Sequence, residues 1–197
     1  MVVIQFLGST TWTSLFFGKN TVVLISLSIL VVFIRYYFMS LQMLKGQRDI
    51  FAYSTTDGMI SILIVLFSFV IHELGHIGAC VRCGLIPNSA GIGLYFFSPV
   101  FYVDTSEAWV LPAKKRAIID FGGVYLQAIF IGVLAVIYMF TGSLVIHQAV
   151  LLILLLILIN LFPFIKLDGY WVLSDLIGLP NLDLRAKGSL PKKLDTT

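Results

Sequence analysis

Charge is scarce in this sequence. Of its 197 residues, 12% are Asp, Glu, Lys or Arg and 59% are apolar, against roughly 25% and about 45–50% in ordinary soluble domains. That shortage argues against a water-soluble globule and leaves little charge with which to hold a nucleic acid, so no nucleic-acid partner is expected. Cysteine is almost missing too. Cys80 and Cys83 allow one disulfide, a share in a metal site or no special role. There is no internal repeat and no low-complexity segment, so one compact membrane domain is expected. Residues 1–18 are apolar and aromatic but lack the basic start and small-residue cleavage site of a secretory signal peptide. They are expected to be retained, as an N-terminal interfacial or partial membrane segment.

What the chain does have is long apolar runs close to the roughly 20 residues that cross a bilayer as helix. They fall at 21–39, 59–80, 119–140 and 144–162. The expected fold is an all-α polytopic membrane protein with about four transmembrane helices. A polar loop, 45–57, joins the first two. Thr141, Gly142 and Ser143 alone separate the last two, which makes those an antiparallel hairpin. The connection 82–116 differs in character, because 91–97 and 100–103 are rich in strand-forming residues around Ser98 and Pro99. It predicts a short β-hairpin between the second and third spans. Bare strand edges are not tolerated in lipid, so the hairpin should lie in the interface, pair with something or line a cavity.

Basic residues are unevenly shared between the two sides of this topology. Lys19, Arg82, Lys114, Lys115, Arg116, Lys166 and Arg185, with the lysines of the tail, fall on one side, while Lys45 and Arg48 fall on the other. Cytoplasmic loops carry the excess of Lys and Arg, so both termini are expected in the cytoplasm. The polar tail, 181–197, is expected to be mobile there.

The second span contains His72-Glu73-Leu74-Gly75-His76. Two histidines four apart on a helix share a face and can reach one ion, with the glutamate beside them placed to handle a water proton. Ionisable groups inside a span are expensive and rarely present without a task. A catalytic zinc takes three protein ligands and keeps a fourth position open. The third His of the soluble pattern is missing, since Arg82 stands there, and the remaining His147 falls early in the fourth span, where an interfacial role is expected. Asp168 is the best-placed acid, because the second and fourth spans run the same way and deliver it to the depth of His72 and His76. Pro163 and Gly169 permit the chain to turn it inward. Read without that placement, Asp168 would be the N-cap of a helix at 170–177. On a continued helix Cys80 and Cys83 share the face of the histidines, so a structural site of four ligands is a further possibility.

HELGH in a span, followed by Asn160-Leu161-Phe162-Pro163-Phe164-Ile165-Lys166-Leu167-Asp168-Gly169, resembles the paired motifs of the site-2 protease family of intramembrane zinc metalloproteases, HExxH and NxxPxxxLDG. The resemblance covers about residues 61–171. The segment 96–104 and Trp109 also look like the compact bacterial peptide-maturation branch. Gly122-Gly123 departs from the pattern, standing where members commonly show Gly-Pro. The resemblance implies a membrane-embedded metalloprotease domain over 19–180, in a bacterial cell membrane. It implies one Zn2+ held by His72, His76 and Asp168, and Glu73 as catalytic acid/base. Asn160 would contact the substrate backbone or order the site, or serve as interhelical glue; Gln127 invites the same readings, with the structural one favoured. The expected function is hydrolysis of peptide bonds in a membrane-spanning or membrane-associated peptide. The alternative is a non-catalytic metal-containing membrane protein serving as a peptide immunity or transport partner.

Overall fold

A computed structural model describes residues 10–45, 54–95 and 98–178. In chain order the elements are α1 (Thr10–Phe17), α2 (Lys19–Lys45), α3 (Thr55–Cys83), β1 (Ala90–Tyr95), β2 (Ser98–Val103), a 3-10 turn (Ser106–Val110), α4 (Ala113–Thr141), α5 (Leu144–Asn160) and α6 (Asp168–Leu176). Most of the expected loop, 45–57, and the whole of the tail at 181–197 lie outside the described residues, as do residues 1–9 and Phe96-Phe97.

The helix boundaries follow from local chemistry. α3 opens on a reciprocal capping box, in which the Ser54 hydroxyl accepts from the Asp57 amide and the Asp57 carboxylate accepts from the Ser54 amide. It closes at Gly84, whose φ of 90° is the left-handed conformation that glycine adopts without strain. Among the described residues three helices are long and apolar enough to cross a membrane, Lys19–Leu41, Thr55–Cys83 and Ala113–Thr141. The expected fourth span is apolar but shorter as a helix, because α5 stops at Asn160 after 17 residues, about 25 Å at 1.5 Å per residue. Its apolar run continues to Phe162, but Pro163 disfavours helix in the residue before it. The surface of these helices is made of large aliphatic side chains such as Leu24, Val31, Leu63, Leu66 and Leu158. A continuous apolar coat of that kind suits lipid, not water.

α4 is the hub, packing against α3, α5, α6 and α2. On one side Val124, Ile131, Leu134 and Tyr138 form a core with Tyr36 of α2 and Val150, Ile153 and Ile157 of α5. On the other, Ile119 and Tyr125 pack with Phe17, Ala79, Cys80 and Ala108. α1 is thereby fastened to the bundle: the Tyr125 hydroxyl donates to the Phe16 carbonyl at 2.9 Å, and Phe17 meets the Tyr125 ring edge-on. His147, expected at the interface, is packed inside the protein. It is buried where α2, α4 and α5 meet, with Nδ1 2.6 Å from the Tyr36 hydroxyl and its ring stacked on Tyr138. A polar ring in so apolar a place needs a partner, and the tyrosine supplies it.

α3 and α4 touch through glycine. A Cβ on Gly75 would overlap the backbone of Gly122, and one on Gly122 would meet the Gly75 carbonyl. The Gly75→Ala variant should therefore force the two helices apart and cost about 1–3 kcal/mol, the range for overpacking, read as a lower unfolding midpoint in micelles. The hairpin forms as expected, antiparallel with Ala90 opposite Val103 and Tyr95 opposite Ser98. β2 lies against α3.

Candidate metal centre

His72 and His76 lie one turn apart on α3, both buried, on the face turned toward α4 and α6. Their Nε2 atoms are 3.1 Å apart. Asp168, in the first turn of α6, brings Oδ2 to 2.9 Å from His72 Nε2 and 3.3 Å from His76 Nε2. The N-cap of α6 is Leu167, so Asp168 does not cap the helix; its carboxylate is committed to the histidines. α6 starts two residues before the 170–177 stretch read from the sequence, and Gly169 makes the approach possible, since a Cβ there would run into the Leu161 backbone.

The partners of these three groups fix their orientation. His76 Nδ1 lies 2.9 Å from the carbonyl of Ile119, which can only accept, so Nδ1 carries the proton. His72 Nδ1 lies 3.1 Å from Gln127 Oε1. The Gln127 amide donates to Ser68 Oγ at 3.1 Å, and that hydroxyl donates to the Val65 carbonyl at 2.7 Å. In this chain of bonds the Gln127 oxygen faces His72, which again protonates Nδ1. In the neutral rings, then, both Nε2 atoms carry lone pairs, and those lone pairs point at each other and at a carboxylate oxygen. An arrangement of that kind calls for a cation at its centre. Zinc ligands at about 2.0–2.1 Å in a tetrahedron are about 3.3 Å from one another, close to the separations found, so the donor set fits that ion.

Asn160 braces the third member. Its Nδ2 donates to Asp168 Oδ2 at 2.8 Å and its Oδ1 accepts from the Asp168 amide at 3.2 Å. Glu73 is half-buried beside the pair, within electrostatic reach of His76, His72 and Asp168 and of the Val103 backbone N–H at the end of β2.

Cys80 and Cys83 are free thiols outside this centre. Cys80 is buried in the Ala79, Ala108 and Ile119 cluster, and Cys83 Sγ faces the Lys115 carbonyl at 3.8 Å. Among the described residues, the His, Cys, Asp and Glu ligand atoms that converge within 4.8 Å are those of His72, His76 and Asp168. Gln127, whose expected role is structural, orients a histidine of the cluster. A polar side chain on the buried face of α4 is the signal for it in the sequence. Gly123 matters for a related reason: a Cβ there would stand 2.5–2.6 Å from both Nε2 atoms, so the glycine leaves the centre of the cluster open. The role of the Ile119 carbonyl has no signal in the side-chain sequence at all.

No family model and no solved structure matches this chain. Over 151 residues it is 28% identical to a protein of Bacillus subtilis (strain 168) named "Putative peptide zinc metalloprotease protein YydH". The match takes in 76% of this chain and 60% of that protein, so the chain spans less than two thirds of the relative's length.

Proposed function

We propose that this chain is a zinc metalloendopeptidase of site-2 protease type, cutting peptide bonds of membrane-spanning or membrane-associated peptides. The observation that carries the reading is the convergence of the Asp168 carboxylate on two imidazole lone pairs, which stand beside a glutamate on a helix long and apolar enough to cross a membrane. The name of the Bacillus subtilis relative agrees with it. In this reading His72, His76 and Asp168 hold the ion, and α5 makes a fourth, shorter crossing. The side carrying the basic residues, with both termini, faces the cytoplasm of a bacterial cell.

Bound there, zinc would polarise a carbonyl and acidify water. The rest falls to the protein. Glu73, beside the ligands and not one of them, takes the proton of the attacking water and returns it to the leaving nitrogen. Asn160 keeps Asp168 turned to the ion, and its amide, also 3.5 Å from His72 Nε2, borders the space where a substrate backbone would lie. Among the described residues β2 pairs with β1 alone, and its end at Val103 reaches Glu73. An unwound peptide added along this hairpin as a further strand would be led to the cluster by main-chain hydrogen bonds. That solves a problem the lipid poses, since a peptide bond inside a substrate helix is hydrogen-bonded and shielded.

The test is purification in micelles with zinc analysis and a membrane-peptide cleavage assay. About one zinc per chain is expected, with cleavage lost on chelation and restored by added zinc. Cleavage indifferent to the chelator would sink the proposal. Cys80→Ser should leave zinc content unchanged, because its thiol belongs to an apolar cluster away from the histidines; loss of metal in that variant would overturn the ligand set.

A further inference from the structure

Next to the metal cluster is a cavity of about 140 Å³ whose lining includes Thr105, Trp109, Arg116, Asp120, Trp171 and Asp175. Its walls come from the same segments that build the cluster. Asp120 follows Ile119, whose carbonyl holds His76; Trp171 is one helical turn after Asp168 on α6; and Trp109 sits on the 3-10 turn that follows β2. The electrostatic influence of His76 and Asp168 reaches Asp120.

The charges in this cavity do not cancel. Arg116 is fully engaged, with Nε and Nη2 on the Asp175 carboxylate, Nη1 on the Leu111 carbonyl at 3.0 Å, and its guanidinium 5.2 Å from the centre of the Trp109 ring. That pair is neutral. Asp120 is half-buried, and among the described residues no hydrogen bond reaches its carboxylate. It is the acid of the wall that has no hydrogen-bond partner among the described residues. Facing it are two indoles set edge to face with centres 6.0 Å apart. Indole faces attract cations and also cover the aliphatic stem of a long basic side chain, whose charged end then needs an anion. A cavity of about 150 Å³ takes a molecule the size of benzene, so there is room for one such side chain.

We propose that this cavity is a specificity pocket that takes a lysine or arginine side chain of the peptide substrate, with the charged end on Asp120 and the stem lying against the Trp109–Trp171 pair. The proposal rests on the peptidase reading above. It adds a preference: a peptide led along the hairpin toward Glu73 is cut next to a basic residue, because that residue alone satisfies Asp120.

Binding can be read without cleavage. The protein, zinc-loaded and carrying Glu73→Gln and Trp12→Phe, retains Trp109 and Trp171 as its fluorophores. Two N-acetylated, amidated alanine-valine peptides serve as probes, identical except for one central lysine or norleucine. The lysine peptide should change the indole fluorescence and bind roughly tenfold more tightly, the combined scale of a cation on an aromatic face and an exposed ion pair. Asp120→Asn should bring the two peptides to parity, and Asp120→Glu should keep part of the difference, which covers the case in which the amide variant folds poorly. Equal binding of both peptides to the parent protein, or an undiminished lysine preference in Asp120→Asn, would overturn the pocket. Tighter binding of a norleucine peptide with a free N-terminus than of the acetylated lysine peptide would overturn it too, moving the cation to the peptide's amine. A lysine preference that persists in a protein whose unaltered Glu73 form cuts nothing would instead sink the peptidase reading and leave the pocket standing.

Discussion

Glu73→Gln should keep its zinc and lose its peptidase activity by about 10²–10⁴-fold, the usual contribution of a positioned acid-base group. Glutamine has the size and shape of glutamate and can hold the same place beside His72, His76 and the end of β2. What it cannot do is accept the proton of water and pass it on. Because Glu73 is not one of the three converging ligands, the metal should stay. The paired measurement, zinc per chain and rate of cleavage on one preparation, separates the two roles cleanly. Full activity in this variant would remove Glu73 from the chemistry and revive the non-catalytic reading, in which the metal only stabilises a partner for a peptide. Loss of zinc would make Glu73 a ligand and dismantle the assignment of Asp168.

Much of the metal centre is legible in the amino-acid sequence. HELGH falls inside an apolar run, so its helical spacing and its cost in lipid both point to one face and one task. Asp168 is reachable by the expected topology, in which the second and fourth apolar runs are parallel and a proline-glycine turn follows, and Asp168 of α6 does lie beside the histidines. The hairpin is legible from its β-branched and aromatic residues, and it pairs at Ala90–Tyr95 and Ser98–Val103. Less legible is whatever depends on backbone or on three helices meeting. The Ile119 carbonyl has no sequence signature, since every residue carries one. His147 reads as interfacial from its position along α5, but depth in a bundle depends on the neighbours, and Tyr36 and Tyr138 close over it. Asp120 gives only a weak signal, because it stands at the very start of the third span, next to Lys114, Lys115 and Arg116, where an acid reads as part of the span's charged flank. Only the fold shows that Arg116 is taken by Asp175 and leaves Asp120 alone.

Asp168→Ala should abolish zinc binding, and Asn160→Ala should only weaken it. In the proposed site Asp168 would supply the one anionic ligand and the one ligand that does not come from α3. Without it two neutral imidazoles remain, fewer than the three protein ligands a catalytic zinc site holds. Asn160 touches the ion's ligand and not the ion's place: it grips Asp168 through both its amide hydrogen and its carbonyl. Losing such an outer partner typically costs about 10–100-fold in metal affinity, so zinc should still bind Asn160→Ala under excess metal while being stripped by a weaker chelator. Competition against chelators of graded strength would read both variants, with unfolding midpoints of the metal-free proteins compared to exclude collapse of the fold. The metal-free midpoints of the two variants should fall alike, because each loses side-chain hydrogen bonding between Asn160 and Asp168. An Asp168→Ala protein that holds zinc as tightly as the unaltered chain would show that α6 merely rests beside the histidines, and the search for the third ligand would return to α3 and its thiols.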